Sequence, residues 1–179
     1  MHSINNKPMC VGIKMKTIIK KVKPQEKDTL ANLLEKYNYE FSQYDKRQFD
    51  SNGLFGYKYL DNYFTESSRY AYFIYVDDTL AGFALVNKYK ACERPIDWSI
   101  AEFFVSYNFR QQGVATQAVR QIFEIHKGLW HIKYHEKNLA SVALWNKIAK
   151  MYDCNYELCS GDEPFGDGTE ASVLYFRVE

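Results

Sequence analysis

No apolar run in the sequence approaches the ~20 residues that a membrane-spanning helix requires. The amino end carries Lys7 but no apolar h-region, so neither a membrane span nor a secretory signal is expected. Cysteine is sparse. Cys10, Cys92, Cys154 and Cys159 make no dense framework, which excludes a disulfide-stapled scaffold and leaves free thiols in a cytoplasmic protein as the expectation. Charge of one sign is also lacking. The net charge is +1, so composition offers no general reason for binding nucleic acid or an anionic membrane. No zinc-finger or RNP-like pattern is present. His126, His131 and His135, with Cys154 and Cys159, match no paired-ligand spacing, so they are expected to be scattered surface histidines and no metal is expected. Internal repeats, low-complexity tracts and linkers are missing as well.

What is present describes one compact domain. The chain has 179 residues, of which 46% are hydrophobic and 17% aromatic, with Tyr alone at 15, enough to bury a sizeable core. Lysine concentrates in residues 1–27. Between Lys150 and Arg177 only acids carry charge: Asp153, Glu157, Asp162, Glu163, Asp167 and Glu170. Residues 1–14 read as a flexible extension, and 15–179 as the folded unit.

Periodicity predicts the elements. Residues 17–22 alternate weakly and form a first strand. Pro24 suits a first helical turn, and Leu30, Leu33, Leu34, Tyr37 and Phe41 give residues 24–41 an apolar stripe. A short second helix is predicted over 57–64. Residues 70–76 and 80–86 are apolar on both faces and flank Asp77-Asp78-Thr79, which suggests a hairpin covered on both sides. A strand at 98–105, a helix at 113–126, a strand at 129–134, a helix at 138–152 and a strand at 172–178 complete the order, with 160–170 as a loop. An antiparallel start followed by βαβα implies a mixed sheet with helices on both faces.

Chemistry concentrates at the end of the 98–105 strand. After Val105 a short turn leads through Arg110-Gln111-Gln112-Gly113-Val114-Ala115 into a helix. The first amides of a helix have no intrahelical partner and share the positive end of its dipole. Gly113 and Ala115 leave room for an anion such as a phosphate to approach them, with Arg110 as a cation at the rim. The plain alternative is an ordinary strand–loop–helix connection. Neither G-x-x-x-x-G-K-[ST] nor G-x-G-x-x-G occurs, so P-loop and Rossmann readings fail.

Arg110-x-x-Gly113-x-Ala115 resembles the acyl-CoA pyrophosphate motif (Q/R-x-x-G-x-G/A) of the GNAT superfamily of N-acetyltransferases. Asn138-x-x-Ser141-x-x-Leu144-Trp145-x-Lys147 resembles that superfamily's second cofactor motif, N-x-x-A-x-x-L-Y-x-K. The segments at 39–42, 53–57, 81–86 and 101–105 are similar to those of a family of uncharacterised bacterial acetyltransferases. The resemblance implies an α/β (α+β) fold: one domain with a mixed, mostly antiparallel twisted sheet of six to seven strands. It implies transfer of an acetyl group from acetyl-CoA to a primary amine by direct attack in a ternary complex, without a metal. The pantetheine arm would pair with Phe103, Phe104 and Val105. The pyrophosphate would sit on the amides of Gln111, Gln112, Gly113, Val114, Ala115 and Thr116. Asn138, Ser141 and Trp145 would complete the cofactor site. Homodimers are common in the superfamily.

The catalytic roles stay open at this level. An alkylammonium has a pKa near ~10.4 and must lose a proton before it attacks, so a base is needed. Glu102 is the candidate base, beside the thioester; the alternative is that it only pairs a cation. The backbone at Val105 is the candidate oxyanion donor. Trp145 stands where many members have a Tyr that protonates the departing thiolate, and indole cannot act as an acid at neutral pH. It either packs in the core or walls the acetyl pocket. Tyr39, Glu40, Ser42 and Asp45 are the candidate acceptor residues; the alternative is a solvated helix end. A second functional class remains: a non-catalytic acyl-CoA-binding regulatory module. So does transfer of a longer acyl group, against which Phe103, Phe104 and Trp145 argue mildly by their bulk.

Overall fold

The computed structural model of the protein describes residues 15–179, so the expected extension at 1–14 lies outside the described residues. Strand β1 (Thr17–Lys21) leads through a 3-10 turn at Pro24–Glu26 into helix α1 (Lys27–Asp45). α1 extends beyond the predicted 41 and stops where Lys46 turns left-handed at φ 61°. The predicted helix over 57–64 is mostly turns, with one helical turn, α2, at Asn62–Thr65. The hairpin β2 (Tyr70–Val76) and β3 (Thr79–Asn87) turns at Asp77 and Asp78, both left-handed at φ 45° and 64°. β4 (Trp98–Val105), α3 (Val114–Ile125), β5 (Gly128–Tyr134) and α4 (Leu139–Tyr152) follow. A short strand β6 (Glu157–Ser160) falls where no strand was expected, and β7 (Ser172–Val178) closes the order.

The seven strands form one sheet in the order β1-β2-β3-β4-β5-β7-β6. Every neighbouring pair is antiparallel except β4 and β5. The α1 face buries Leu30, Leu34, Phe73, Phe83, Leu85 and Phe104. The other face buries Ala84, Ile100, Phe123, Trp130, Trp145 and Phe176 under α3 and α4. Alternate residues of β3 thus enter opposite cores, as its apolar run on both faces requires.

One irregularity shapes the site. β4 and β5 pair only through Trp98, Ser99 and Ile100, opposite Trp130, His131 and Ile132, while β4 runs on to Val105. The parting coincides with a bulge. Leu85 faces Glu102 and Val86 faces Ile100, so Ala101 is the extra residue on β4. Beyond it the sheet splits, and no described strand pairs with the β5-facing side of residues 101–105.

Candidate active site

The register decides what the split exposes. The Ser106 amide donates to the Ala81 carbonyl at 2.8 Å, and Phe104 stands opposite Phe83 in the same frame. Hydrogen-bonded pairs alternate in an antiparallel ladder, so the N–H and C=O groups of Phe103 and Val105 point away from β3, into the gap. The Val105 carbonyl confirms this orientation by accepting from Arg110 Nε at 2.6 Å. Side chains alternate as well: Glu102 and Phe104 face α1, Phe103 faces α3 and α4.

The helix beside the gap begins without a side-chain cap. Gly113 is its N-cap residue at φ 80°, and Gln111 before it is also left-handed at φ 60°. Such a φ is uncommon for a residue with a Cβ. The first α3 amide bonded within the helix is that of Gln117, which donates to the Gly113 carbonyl at 3.0 Å. The amides of Gly113, Val114, Ala115 and Thr116 donate to no described residue and point together along the helix axis. This is the geometry that receives an anion.

These features open on one cleft of about 860 Å³ that runs from α1, through the split, to α4. Of the residues expected at the cofactor, Phe103, Phe104, Val105, Arg110, Gln111, Gly113, Val114, Ala115, Thr116, Asn138, Ser141 and Trp145 all line it. Gln112 does not; it is exposed and its side chain donates to the Asn108 carbonyl. Asn138 caps α4 by accepting from the Ser141 amide at 3.2 Å, which leaves its side-chain N–H groups for the cleft. Trp145 is buried in the core beneath α4, packs edge-to-face on Phe103 at 5.3 Å and also lines the cleft.

Arg110 is not a loose cation at the rim. Its Nη1 and Nη2 grip the two carboxylate oxygens of Glu40 at 2.7 Å each, and its guanidinium stacks on Tyr107 at 4.1 Å. Glu40 therefore lines the cleft as a paired group. The other acceptor candidates sit elsewhere. Tyr39 is 68% exposed, Ser42 donates back to the Tyr39 carbonyl, and Asp45 is buried against Arg47 at 2.5 Å. The α1 residues that do reach the cleft are Tyr37, Phe41 and Tyr44. They share one helical face with Glu40 at spacings of three and four. That spacing was visible, but Tyr37 and Phe41 looked like an ordinary core stripe.

Glu102 does not line the cleft. It lies on the α1 face, where Tyr57 donates to its Oε1 at 3.2 Å and Tyr37 is a second phenol nearby. Burial raises its pKa above the usual carboxylate range, against the lowering by the two phenols and by Arg47. Tyr37 is pushed well above its ordinary value by the same burial and by the Glu102 charge. Tyr37 is thus the residue that borders both the Glu102 carboxylate and the cleft.

The expectation of surface histidines is corrected. His126, His131 and His135 are all buried. His126 meets the Tyr72 hydroxyl at 2.7 Å, His131 accepts from the Ala91 amide at 3.1 Å, and His135 contacts Asp167 at 3.3 Å. Burial lowers the pKa of His126 and of His131 to about 4. Each is a satisfied core group. Among the described residues no group of His, Cys, Asp and Glu is arranged to hold a metal, and no helix is long and apolar enough to cross a membrane.

The model of the acetyltransferase (GNAT) family matches residues 28–150. No curated protein matches the chain significantly. Among solved structures, an acetyltransferase from Thermus thermophilus aligns with TM-score 0.64 at 9% identity, over 92% of this chain and 99% of that one. A structure described as histone acetyltransferase HPA2 and related acetyltransferase from Corynebacterium glutamicum gives 0.63 at 11%, over 92% and 98%. The ribosomal-protein-S18-alanine N-acetyltransferase of Escherichia coli gives 0.57 at 10%, over 92% and 95%. Identities this low speak for the fold alone. The family match, however, runs from α1 through the split sheet to the end of α4, more than half of the chain, and on that ground the protein belongs to the acetyltransferase (GNAT) family.

Proposed function

We propose that the protein moves an acetyl group from acetyl-CoA to a primary amine by direct attack within a ternary complex. One observation carries the reading. The bare amides at the start of α3, the backbone of Phe103 that no strand pairs and the Val105 amide open on the same cleft. A diphosphate on the first and an extended amide-bearing arm along the second would bring a thioester to the end of β4. The amides of Gly113 to Thr116 bind the diphosphate, the backbone of Phe103 takes the pantetheine amide, and the free donors of Asn138 hold the same arm. The Val105 amide serves the developing oxyanion in a water-poor pocket walled by Phe103, Phe104 and Trp145. The donor supplies an activated acyl group whose thiol, with a pKa near ~8.5, leaves without full protonation.

The acceptor approaches from the α1 side. Its ammonium is relieved of a proton by Glu102 through Tyr37: the phenol passes its own proton to the carboxylate as it takes one from the amine. Burial of Tyr37 disfavours a free phenolate, so the two transfers are concerted.

Melting with acetyl-CoA tests the donor half. Ligand at 100 times its dissociation constant is to add roughly 2.7 kcal/mol of stability. Release of free thiol in the presence of amines tests the transfer. Binding without release on any amine would leave an acyl-CoA-binding module instead of an enzyme, and no binding would remove both.

A further inference from the structure

The acceptor end of the cleft is unusual in its charge. Five aromatic rings surround it: Tyr37, Phe41 and Tyr44 from α1, Phe104 from β4 and Tyr107 from the following turn. Phe165, from the loop before β7, backs Phe41 at 5.8 Å, and His135 backs Tyr44 at 5.7 Å. The carboxylate in this wall is Glu40, and both its oxygens are held by Arg110 at 2.7 Å. Arg110 Nε is taken as well, by the Val105 carbonyl at 2.6 Å. The pair is closed and neutral.

The neighbouring acids are occupied too. Asp45 pairs with Arg47 at 2.5 Å. Both Glu35 oxygens accept backbone amides, of Phe55 at 2.9 Å and of Gly56 at 2.7 Å. Asp167 holds Lys137 at 2.6 Å. Among the described residues Glu102 is bonded neither to a cationic side chain nor to a backbone amide: Tyr57 donates to it at 3.2 Å, and Tyr37, which lines the cleft, adjoins it. The cleft thus meets one carboxylate with no cation bonded to it, from behind Tyr37, inside an aromatic collar.

Resting on the acetyl-transfer reading, we infer that the acceptor is a primary monoamine with an apolar aryl or alkyl body. A ring or short alkyl chain replaces water against the aromatic wall. A polyamine would carry a second ammonium into that wall with no free carboxylate to meet it, and an uncompensated charge is costly to desolvate. A lysine side chain in a peptide would bring flanking amides against the Phe41 and Phe104 rings, which offer them no partner.

The test is a thiol-release assay with acetyl-CoA and three probes: 2-phenylethylamine, spermidine and a lysine-containing peptide. Acetyl-CoA binding is confirmed beforehand by calorimetry. The expected result is a kcat/KM for 2-phenylethylamine at least about tenfold above either competitor, a factor that corresponds to ~1.4 kcal/mol. A second arm uses Arg110→Gln, which keeps a residue that the cofactor motif accepts and frees the Glu40 carboxylate. It is to raise the spermidine to 2-phenylethylamine ratio of kcat/KM by about tenfold, and Glu40→Gln in that background is to return it. Faster turnover of spermidine or the peptide by the unmodified enzyme overturns the inference while leaving acetyl transfer standing, as does an Arg110→Gln ratio that does not move. Binding of acetyl-CoA with no probe acetylated overturns the transfer reading and the inference with it.

Discussion

Glu102 and Tyr37 make opposite demands on the molecule. A buried carboxyl with a raised pKa is a better base near neutrality and a poorer contributor to stability when ionised. The rate of acetyl transfer is therefore expected to rise with pH through a pKa above the ordinary carboxylate value. Glu102→Gln is expected to abolish that limb and lower kcat by roughly 10²–10⁴-fold, with acetyl-CoA affinity retained. Tyr37→Phe is expected to produce much of the same loss, and the double variant little more than Glu102→Gln alone, because in the proposed relay the two act as one unit. A Tyr37→Phe enzyme with an unchanged pH–rate profile would refute the relay. For stability, the raised pKa means that Glu102 is tolerated below its unfolded value and penalises the fold as pH rises through the folded value. Glu102→Gln should accordingly melt higher than the parent at neutral pH and no higher well below pH 4. Gly113 is a second single-residue test. A Cβ there would meet only Gln117 Nε2 at 3.7 Å, so the obstacle is the backbone at φ 80° and not a clash. Gly113→Ala is expected to cost about 1–2 kcal/mol in denaturant unfolding and to weaken acetyl-CoA binding in calorimetry.

Among the elements, β3 and β4 hold the site in register. Gly82 lies opposite Val105, and a Cβ on it would collide with the Phe104 carbonyl. Gly82→Ala forces β3 and β4 apart just where the free groups of Phe103 and the Val105 amide are aimed. Overpacking of this kind costs about 1–3 kcal/mol, and the expected signature is a disproportionate loss of acetyl-CoA affinity relative to the fall in melting temperature. Most elements were legible because their hydrophobic periods are strong: α3 carries Val114, Ala118, Ile122 and Ile125 in order, and β2 and β3 are apolar throughout. β6 was not legible. Glu157-Leu158-Cys159-Ser160 is a mostly exposed edge strand that exists through its pairing with β7, a non-local contact that no window of sequence contains. The split between β4 and β5 was invisible for the same reason. The bulge at Ala101 is a matter of how two distant strands line up.

At the scale of the whole molecule, the buried histidines couple the core to pH. His126 and His131 have folded pKa values of about 4 against an unfolded value of 6.5. Between these limits the unfolded chain binds more protons, so stability falls as pH drops through 6.5 towards 4. Each group contributes a slope of up to ~1.4 kcal/mol per pH unit. Urea unfolding across pH 7.5–4.5 should show that decline. His131→Asn, whose carboxamide oxygen can take the Ala91 amide, should flatten it by about one proton.

Local order determined much of this protein on its own. The helix that starts at Val114 behind Gly113, the strand that ends at Val105 and the cap at Asn138 are written in adjacent residues, because caps, turns and helix starts are short-range events. The partners were decided only in three dimensions. Arg110 closes on Glu40 instead of standing free, Glu102 retreats behind Tyr37, and three histidines enter the core. Each outcome depends on which surfaces the sheet brings together, and burial and ion pairing are properties of that assembled environment, not of any stretch of chain.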